Sequence, residues 1–391
     1  MKIKVIHIAH ASHSYLADEK DDLKKLIIND WYGRVARQIK KFNPKIEIEC
    51  WSPEKKYKKE VFFIDEDIKF RIFPTTFSPI YALDFSIPML LALNKEIKKS
   101  KKENYKLIFH LHEYHNLHGL LISYLFKKEK IIAQHHGGSW PLKHLKENKK
   151  YRPFFLFFLI GQLLENFVLK NIQCFFALSK KEIDYLNKKA PNSKIKFQTM
   201  GIENSFFNKS KKLKSRKRLG LLVDKKILIY IGRIDENKGL KYLIDAMEKL
   251  KDIDLKIIGY GIHRKRLEDY SVQKNLKNIE FLGTIYGKRK LLYLNSADAL
   301  ILPSLKEGAP VVIMEALAKN LPVVVTDVGG VSLMVNNKIN GIIIKQKSSE
   351  EIVRGVKSVL NMDLKDIKKY AKPYKWEEII KNTLKEYENL N

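Results

Sequence analysis

Short runs of apolar residues, each closed by a polar turn, recur along this chain and alternate with stretches of helical period. In the first half they cover residues 4–9, 46–51, 107–111, 131–134, 174–178 and 195–199. Continuous apolar runs bounded by polar turns suit strands buried on both faces of a parallel sheet. Residues 31–41 and 119–128 carry the helical period and supply crossovers. The pattern stops at a polar stretch, 209–218, and then restarts. Runs at 227–231, 255–258, 279–282, 299–302, 323–326 and 341–344 alternate with helical stretches near 239–250, 263–274, 288–295, 311–319 and 349–360. Residues 374–390 read as a last helix with Trp376, Ile379, Ile380, Leu384 and Tyr387 on one face.

The alternation predicts an α/β protein with two doubly wound parallel sheets and a ligand between them, at the carboxyl ends of the strands. The expected domains are residues 1–208, a basic linker over 209–225, a second domain over 226–370 and a closing helix over 371–391. A chain of 391 residues is too long for one ordinary core, which agrees with this division.

The formal charge of +30 attracts anionic partners without choosing among them. Seven of the ten residues at 209–218 are basic, but no aromatic is interleaved to stack on bases. An exposed connection is therefore expected there, and no nucleic-acid partner. Two cysteines, Cys50 and Cys174, form neither a metal cage nor a disulfide scaffold. The first nine residues lack the marks of a secretory leader and read as a buried strand, so a cytoplasmic protein is expected. The most apolar stretch, 154–169, is broken by Gln162, Glu165 and Asn166, which makes a poor spanning helix. Basic residues over 143–152 precede it. Two readings of the stretch stay open: a helix buried against the first sheet, or an interfacial anchor at a membrane face with anionic lipid.

The second half carries the chemistry. Gly232 after a strand permits a tight turn, and Arg233 and Lys238 place two cations at the strand's carboxyl end, suited to a diphosphate. Residues 303–318 run from a strand end through Glu307 and Gly308 to a helix expected to hold Pro310 in its first turn. The amides from Gly308 through Ala309 to Val311 then form an anion site with the helix dipole. Glu307 before that site and Glu315 within the helix suit sugar and ribose hydroxyls; capping by Glu307 and solvation of Glu315 are the structural alternatives. Residues 326–330 hold a glycine pair where backbone approaches a ligand. Gly259 and Gly261 also follow a strand, but the third glycine of a dinucleotide fingerprint is missing, which disfavours hydride transfer.

Gly-Arg-x4-Lys-Gly from Gly232, followed by Pro-Ser-x2-Glu-Gly-x6-Glu-Ala from Pro303, resembles retaining glycosyltransferase family 4 of the GT-B fold. The likeness extends to residues 281–284, 326–330 and 375–377, and more loosely to 177–179 and 200–206. It implies two Rossmann-like domains facing a central cleft, with the C-terminal helix crossing back to the first domain. It also implies transfer of a sugar from a nucleotide-diphosphate sugar, with retention of configuration, to a glycan or lipid-linked acceptor in cell-surface polysaccharide or glycolipid synthesis. Arg233 and Lys238 would bind the diphosphate, so no metal and no cofactor is expected. Glu315 would hold the ribose, Glu307 with residues 308–311 the donor sugar, and Gly259, Gly261 and Tyr286 would lie near the base. His136 matches the histidine beside the transferred sugar.

Six of the eleven histidines lie in two clusters, 110–118 and 135–136. A metal site is the sharp reading of the first, but His112 and His115 are one residue short of the metalloprotease spacing. The resemblance instead puts both clusters at strand ends on the acceptor side, with His112. Many relatives carry a Gly-Gly turn after the first strand; here residues 10–15 hold no glycine, and His10 and His13 stand where those amides would be. Alternatives from other classes are a sugar-nucleotide epimerase and a non-catalytic basic protein of glycan assembly or nucleic-acid binding.

Overall fold

The computed structural model describes residues 2–15, 22–80, 83–137, 149–209, 211–362 and 366–390, with the side chains of Tyr15 and of residues 149–151 outside that description. The chain forms two compact units, Met1–Thr199 with Ile380–Asn391, and Met200–Ile379.

The first unit holds eight strands: β1 Ile3–Ala9, β2 Glu47–Glu54, β3 Val61–Asp65, β4 Ile68–Pro74, β5 Lys106–His112, β6 Lys130–Gln134, β7 Cys174–Ala177 and β8 Lys194–Phe197. They lie in the order β3-β4-β2-β1-β5-β6-β7-β8, parallel except for β3. The antiparallel hairpin β3–β4 is absent from the apolar pattern. Its two-residue turn, Glu66 and Asp67, adopts positive φ without a glycine, and its outer strand alternates half-buried with exposed positions. The helix Ile87–Lys102 was also unmarked. Its buried stripe includes Glu96 and Ser100, and Glu96 is buried because it accepts from Lys4 Nζ at 2.7 Å.

The helix Phe155–Val168 inverts the usual arrangement. Its buried stripe is Phe158, Gly161, Glu165 and Val168, and Glu165 accepts from the Tyr185 hydroxyl at 2.7 Å. Phe155, Leu156, Phe157, Leu159, Ile160, Leu163 and Phe167 are exposed. With its flanking turns, Arg152–Asn171 is long and apolar enough to cross a membrane by length and composition, with 28% of it buried. The sequence expectation rested on the shorter run 154–169, without these flanking turns. Part of the basic segment before it, residues 143–148, lies outside the described residues.

The second unit has six strands: β9 Lys226–Ile231, β10 Ile253–Ile258, β11 Ile279–Gly283, β12 Ala299–Leu302, β13 Val323–Thr326 and β14 Gly341–Ile344. All are parallel, in the order β11-β10-β9-β12-β13-β14. The expected linker over 209–225 is not a free connection. Residues Lys212–Leu219 form a helix that ends at Gly220 with φ +66. Buried Arg216 ties it down: its Nη2 meets Asp298 at 2.7 Å and its Nε donates to Ser296 O at 2.9 Å. The unit therefore starts at Met200 rather than 226, and it extends past 370. Ile202 N–H donates to Tyr374 O at 2.8 Å, and Trp376 Nε1 to Glu203 at 3.0 Å. The helix Trp376–Asn389 is shared, passing to the first unit at Ile380.

Candidate active site

In the second sheet the chain leaves β9 for β10 and β11, then returns to lay β12, β13 and β14 on the other side. The β9–β12 boundary is thus a topological switch point, where the following loops diverge and open a crevice. Residues 232–238 and 303–310 leave the strands there, flanked by 259–261 after β10 and 326–330 after β13. Backbone bonds knit these loops together. Gly232 N–H donates to Ile258 O at 3.0 Å, Leu305 N–H to Asn237 O at 2.7 Å, and Gly330 N–H to Gly308 O at 2.6 Å. Two glycines permit that closeness. Gly259 has φ +147 and a Cβ there would fall 1.8 Å from Gly232 O; Gly329 has φ +60 and its Cβ would fall 2.3 Å from the carbonyls of Glu307 and Gly308.

The charged groups are arranged as three ion pairs on these loops and the helix that follows. Lys238 Nζ lies 2.7 Å from Glu307 Oε1, and the Ser304 hydroxyl donates to the same oxygen at 2.7 Å. Glu307 therefore neither caps the helix nor stands in bulk solvent. Arg233 extends outward with its side chain 80% exposed, 3.5 Å from Asp235, while its carbonyl accepts from the Tyr230 hydroxyl. Pro310 is the residue before the helix, not in its first turn as expected. Its extended ψ of 108° makes it the cap, and Val311 opens the helix Val311–Ala318. No side chain caps that end. Half-buried amides at Gly308, Ala309 and Val311 thus stand at the positive pole of the helix.

Glu315, on the same helix, is buried and pairs with Lys290 Nζ at 2.5 Å. Lys290 belongs to the helix Gly287–Ser296 and lies 5.7 Å from the Phe206 ring centre. Sequence reasoning missed Lys290, because nothing near it in the chain marks its partner. The solvated reading of Glu315 fails, since its neighbours Ile313, Met314, Ala316 and Leu317 are buried with it. Tyr286, directly before that helix, is 80% exposed.

In the first unit, the strand ends of β1, β5 and β6 gather the histidines. His10 is half-buried, while His13 is buried and bonded to Asp30 at 3.0 Å. The glycine-free loop is held by carboxylates. Ser12 N–H donates to Asp84 at 2.6 Å and Ser14 N–H to Glu54 at 3.2 Å. Two of the loop's amides are thus occupied from within the unit. Burial pushes the Asp84 carboxyl up to about 6, against the pull of the Ser12 amide. Glu54 and Asp84 were not anticipated: Glu54 ends a strand that already holds Glu47, Glu49 and Ser52, and Asp84 lies outside any strand, so no local pattern marks either. His135 pairs with Glu182 at 2.8 Å and His115 with Glu165 at 3.2 Å. His112 is buried and bonded to His136 at 2.8 Å.

Two Rossmann-like parallel-sheet units, the second with an uncapped helix end at its switch point, define the GT-B fold class. The solved structure of sucrose-phosphate synthase from Thermosynechococcus elongatus aligns with a TM-score of 0.71 at 16% identity, covering 100% of this chain and 99% of that one. Residues 211–375 match the model of the family described as glycosyl transferases group 1. An uncharacterized glycosyltransferase of Methanocaldococcus jannaschii, MJ1607, is 33% identical over 215 residues, 50% of this chain and 54% of that protein. The putative teichuronic acid biosynthesis glycosyltransferase TuaC of Bacillus subtilis is 36% identical over 160 residues, 40% of this chain and 39% of that protein. The chain thus spans about half or less of these relatives.

Proposed function

We propose that this chain transfers a sugar from a nucleotide-diphosphate sugar to a glycan or lipid-linked acceptor, with retention of configuration, in the synthesis of a cell-surface polysaccharide or glycolipid. The observation that carries the reading is the switch-point loop cluster, where the Lys238–Glu307 pair precedes the uncapped helix end and Glu315, paired with Lys290, lies within that helix. Amides and cations there suit a diphosphate, and carboxylates suit hydroxyls. In this reading Arg233, Lys238 and residues 308–311 receive the diphosphate, Glu307 the donor sugar and Glu315 the ribose. Gly259, Gly261 and Tyr286 border the base, and His136 stands beside the transferred sugar. The bond from the anomeric carbon to the diphosphate oxygen breaks, the acceptor hydroxyl bonds to that carbon, and its proton leaves with the diphosphate. Fixed cations offset the charge that builds on the leaving group, which is the role a divalent ion would otherwise fill. The name of the Bacillus relative, in teichuronic acid biosynthesis, supports the polymer setting.

The test is a screen of nucleotide sugars for nucleotide release with and without candidate acceptors, run beside Glu315→Ala. Acceptor-dependent release that falls by about 10²-fold in the variant is the expected result. Release at full rate without acceptor would point to an epimerase, and unchanged turnover in the variant would sink the ribose assignment.

The partner surface is the apolar face of Phe155–Val168, and the proposed occupant is an anionic bilayer at the cytoplasmic face. The helix Leu117–Leu125 packs against this helix and ends in exposed Tyr124 and Leu125, which precede Lys127, Lys128 and Lys130; Lys149, Lys150 and Arg152 precede the apolar helix and Lys170 follows it. Basic flanks around a charge-free apolar face match headgroups around acyl chains. The helix would lie in the interface, since crossing would strip Gly161 and Glu165 from their packing. Vesicles with anionic lipid should sediment the protein at low salt, neutral vesicles should not, and Leu156→Glu with Phe167→Glu should abolish the difference. Indifference to anionic vesicles at low salt refutes the membrane partner, and pairing of the chain with itself through this face would do the same.

A further inference from the structure

A column of imidazoles runs from the buried sheet of the first unit to His136. His7 on β1 is in register with His110 on β5, and His112 stands two residues further along, so all three share one sheet face. His7 Nδ1 lies 2.8 Å from His112 Nε2, and His112 Nδ1 lies 2.8 Å from His136 Nε2. The His112 and His136 rings are inclined by only 3° with centroids 5.1 Å apart. That separation is little more than the N···N contact plus two ring radii, so the rings lie edge to edge and the bond is nearly straight. Trp31, itself partly exposed, lies almost parallel to His136 at 5.3 Å and closes the outer end.

A neutral imidazole carries one N–H and one bare nitrogen. His112 spends both nitrogens on other imidazoles, so it must donate to one neighbour and accept from the other. The tautomers of the three rings are therefore a single variable with two values. In one, the protons point inward and His7 Nε2 bears a hydrogen. In the other they point outward, and His136 bears its proton on Nδ1. His7 Nε2 is buried without a partner. An orphaned N–H there is the rarer and costlier state, so the outward arrangement is favoured. At the other end the carboxylates of Glu113 and Asp30 act on His136, and their negative potential favours a donor. Burial drives His7 down to about 3 and His136 to about 4, which keeps both neutral near pH 7. His7, His110 and His112 are also close enough to hold a metal ion, but the His7–His112 bond already aligns one ring's lone pair with its neighbour's hydrogen.

We propose that His7 and His112 are positioning residues that lock His136 as its Nδ1–H tautomer, so that it presents a hydrogen-bond donor to an oxygen of the bound sugar. The second clause rests on the placing of His136 beside that sugar; the first stands on the column alone.

Two-bond ¹H–¹⁵N correlation on the full chain labelled at histidine nitrogen, without ligand, reads the tautomer directly. His136 should appear as Nδ1–H in the wild type. His112→Phe, which removes both bonds, should release it to a mixture containing Nε2–H. His112→Gln, which keeps one acceptor and one donor, should restore the Nδ1–H form. In turnover, His112→Phe should lower kcat about tenfold with the donor KM little changed, and His112→Gln should recover most of the loss. Nε2–H at His136 in the wild type overturns the lock, and that measurement needs no variant to fold. An unchanged tautomer in His112→Phe overturns it too, as does a stoichiometric metal retained by the purified chain. A fully active His136→Ala overturns the donor role alone and leaves the tautomer result standing.

Discussion

Replacing Lys238 by alanine is expected to lower turnover of the nucleotide sugar by about 10²–10³-fold, the loss found when one preorganised charge partner of a transition state is removed. Two effects add. The leaving diphosphate loses a cation held at the carboxyl end of β9. Glu307 also keeps its carboxylate but loses the ammonium 2.7 Å away, leaving the Ser304 hydroxyl as its described side-chain partner. An undercompensated, little-exposed carboxylate then repels the incoming diphosphate. Lys238→Ala should therefore depress kcat/KM more than Glu307→Gln does, and Lys238→Ala with Glu307→Gln should be less impaired than the two losses added. Steady-state release of nucleotide across the four proteins checks this. Strict additivity would mean that the pair does not act as a unit.

The second large effect concerns stability. Arg216→Met should weaken the second unit by about 3 kcal/mol, because a buried charge partner is removed while Asp298 remains. Arg216 also donates to the carbonyls of Ser296 and Lys225 at 2.9 Å each, and these lose their donor. Lys212, whose side chain is 46% exposed, meets the same carboxylate at 2.9 Å. Lys212→Ala should cost less than about 1 kcal/mol, as exposed pairs do. Urea unfolding of the three proteins separates these cases, and equal losses would show that Arg216 is not the anchor. Burial works against the ionised Asp298, but the Ile227 amide, Lys212 and Arg216 outweigh it and hold the carboxyl below its usual range. Its share of stability is therefore present above about pH 4 and fades as pH falls through the lowered value.

The strands of the second sheet were legible almost to the residue, because most are apolar runs closed by a polar or glycine turn, with Asp254, Lys256 and Glu280 the interruptions in β10 and β11. The loops of the switch point were legible for the same reason: Gly232, Lys238, Glu307 and Glu315 sit at fixed offsets from those runs. Pairings across the chain were not. Lys290 meets Glu315, and Arg216 meets Asp298, only because crossover helices return to the sheet at a particular height. The His7–His112 contact depends on the register of β1 against β5, which no local pattern encodes. The β3–β4 hairpin escaped because its turn uses two acidic residues at positive φ where glycine or asparagine is the usual mark. The buried stripe of Ile87–Lys102 escaped because an ion pair with Lys4 lets Glu96 serve as an interior residue.

The sharing of the last helix bears on how this chain is made. Tyr387 bonds to His110 at 2.6 Å, Thr383 accepts from Gln198 at 2.9 Å, and Glu386 meets Lys194 at 2.8 Å. These contacts complete the first unit, yet a ribosome reaches them only after it has passed through every strand of the second. The part synthesised first is thus the part finished last. Until then its sheet waits with the base of the imidazole column uncovered, while the later unit already has its strands and most of its helices.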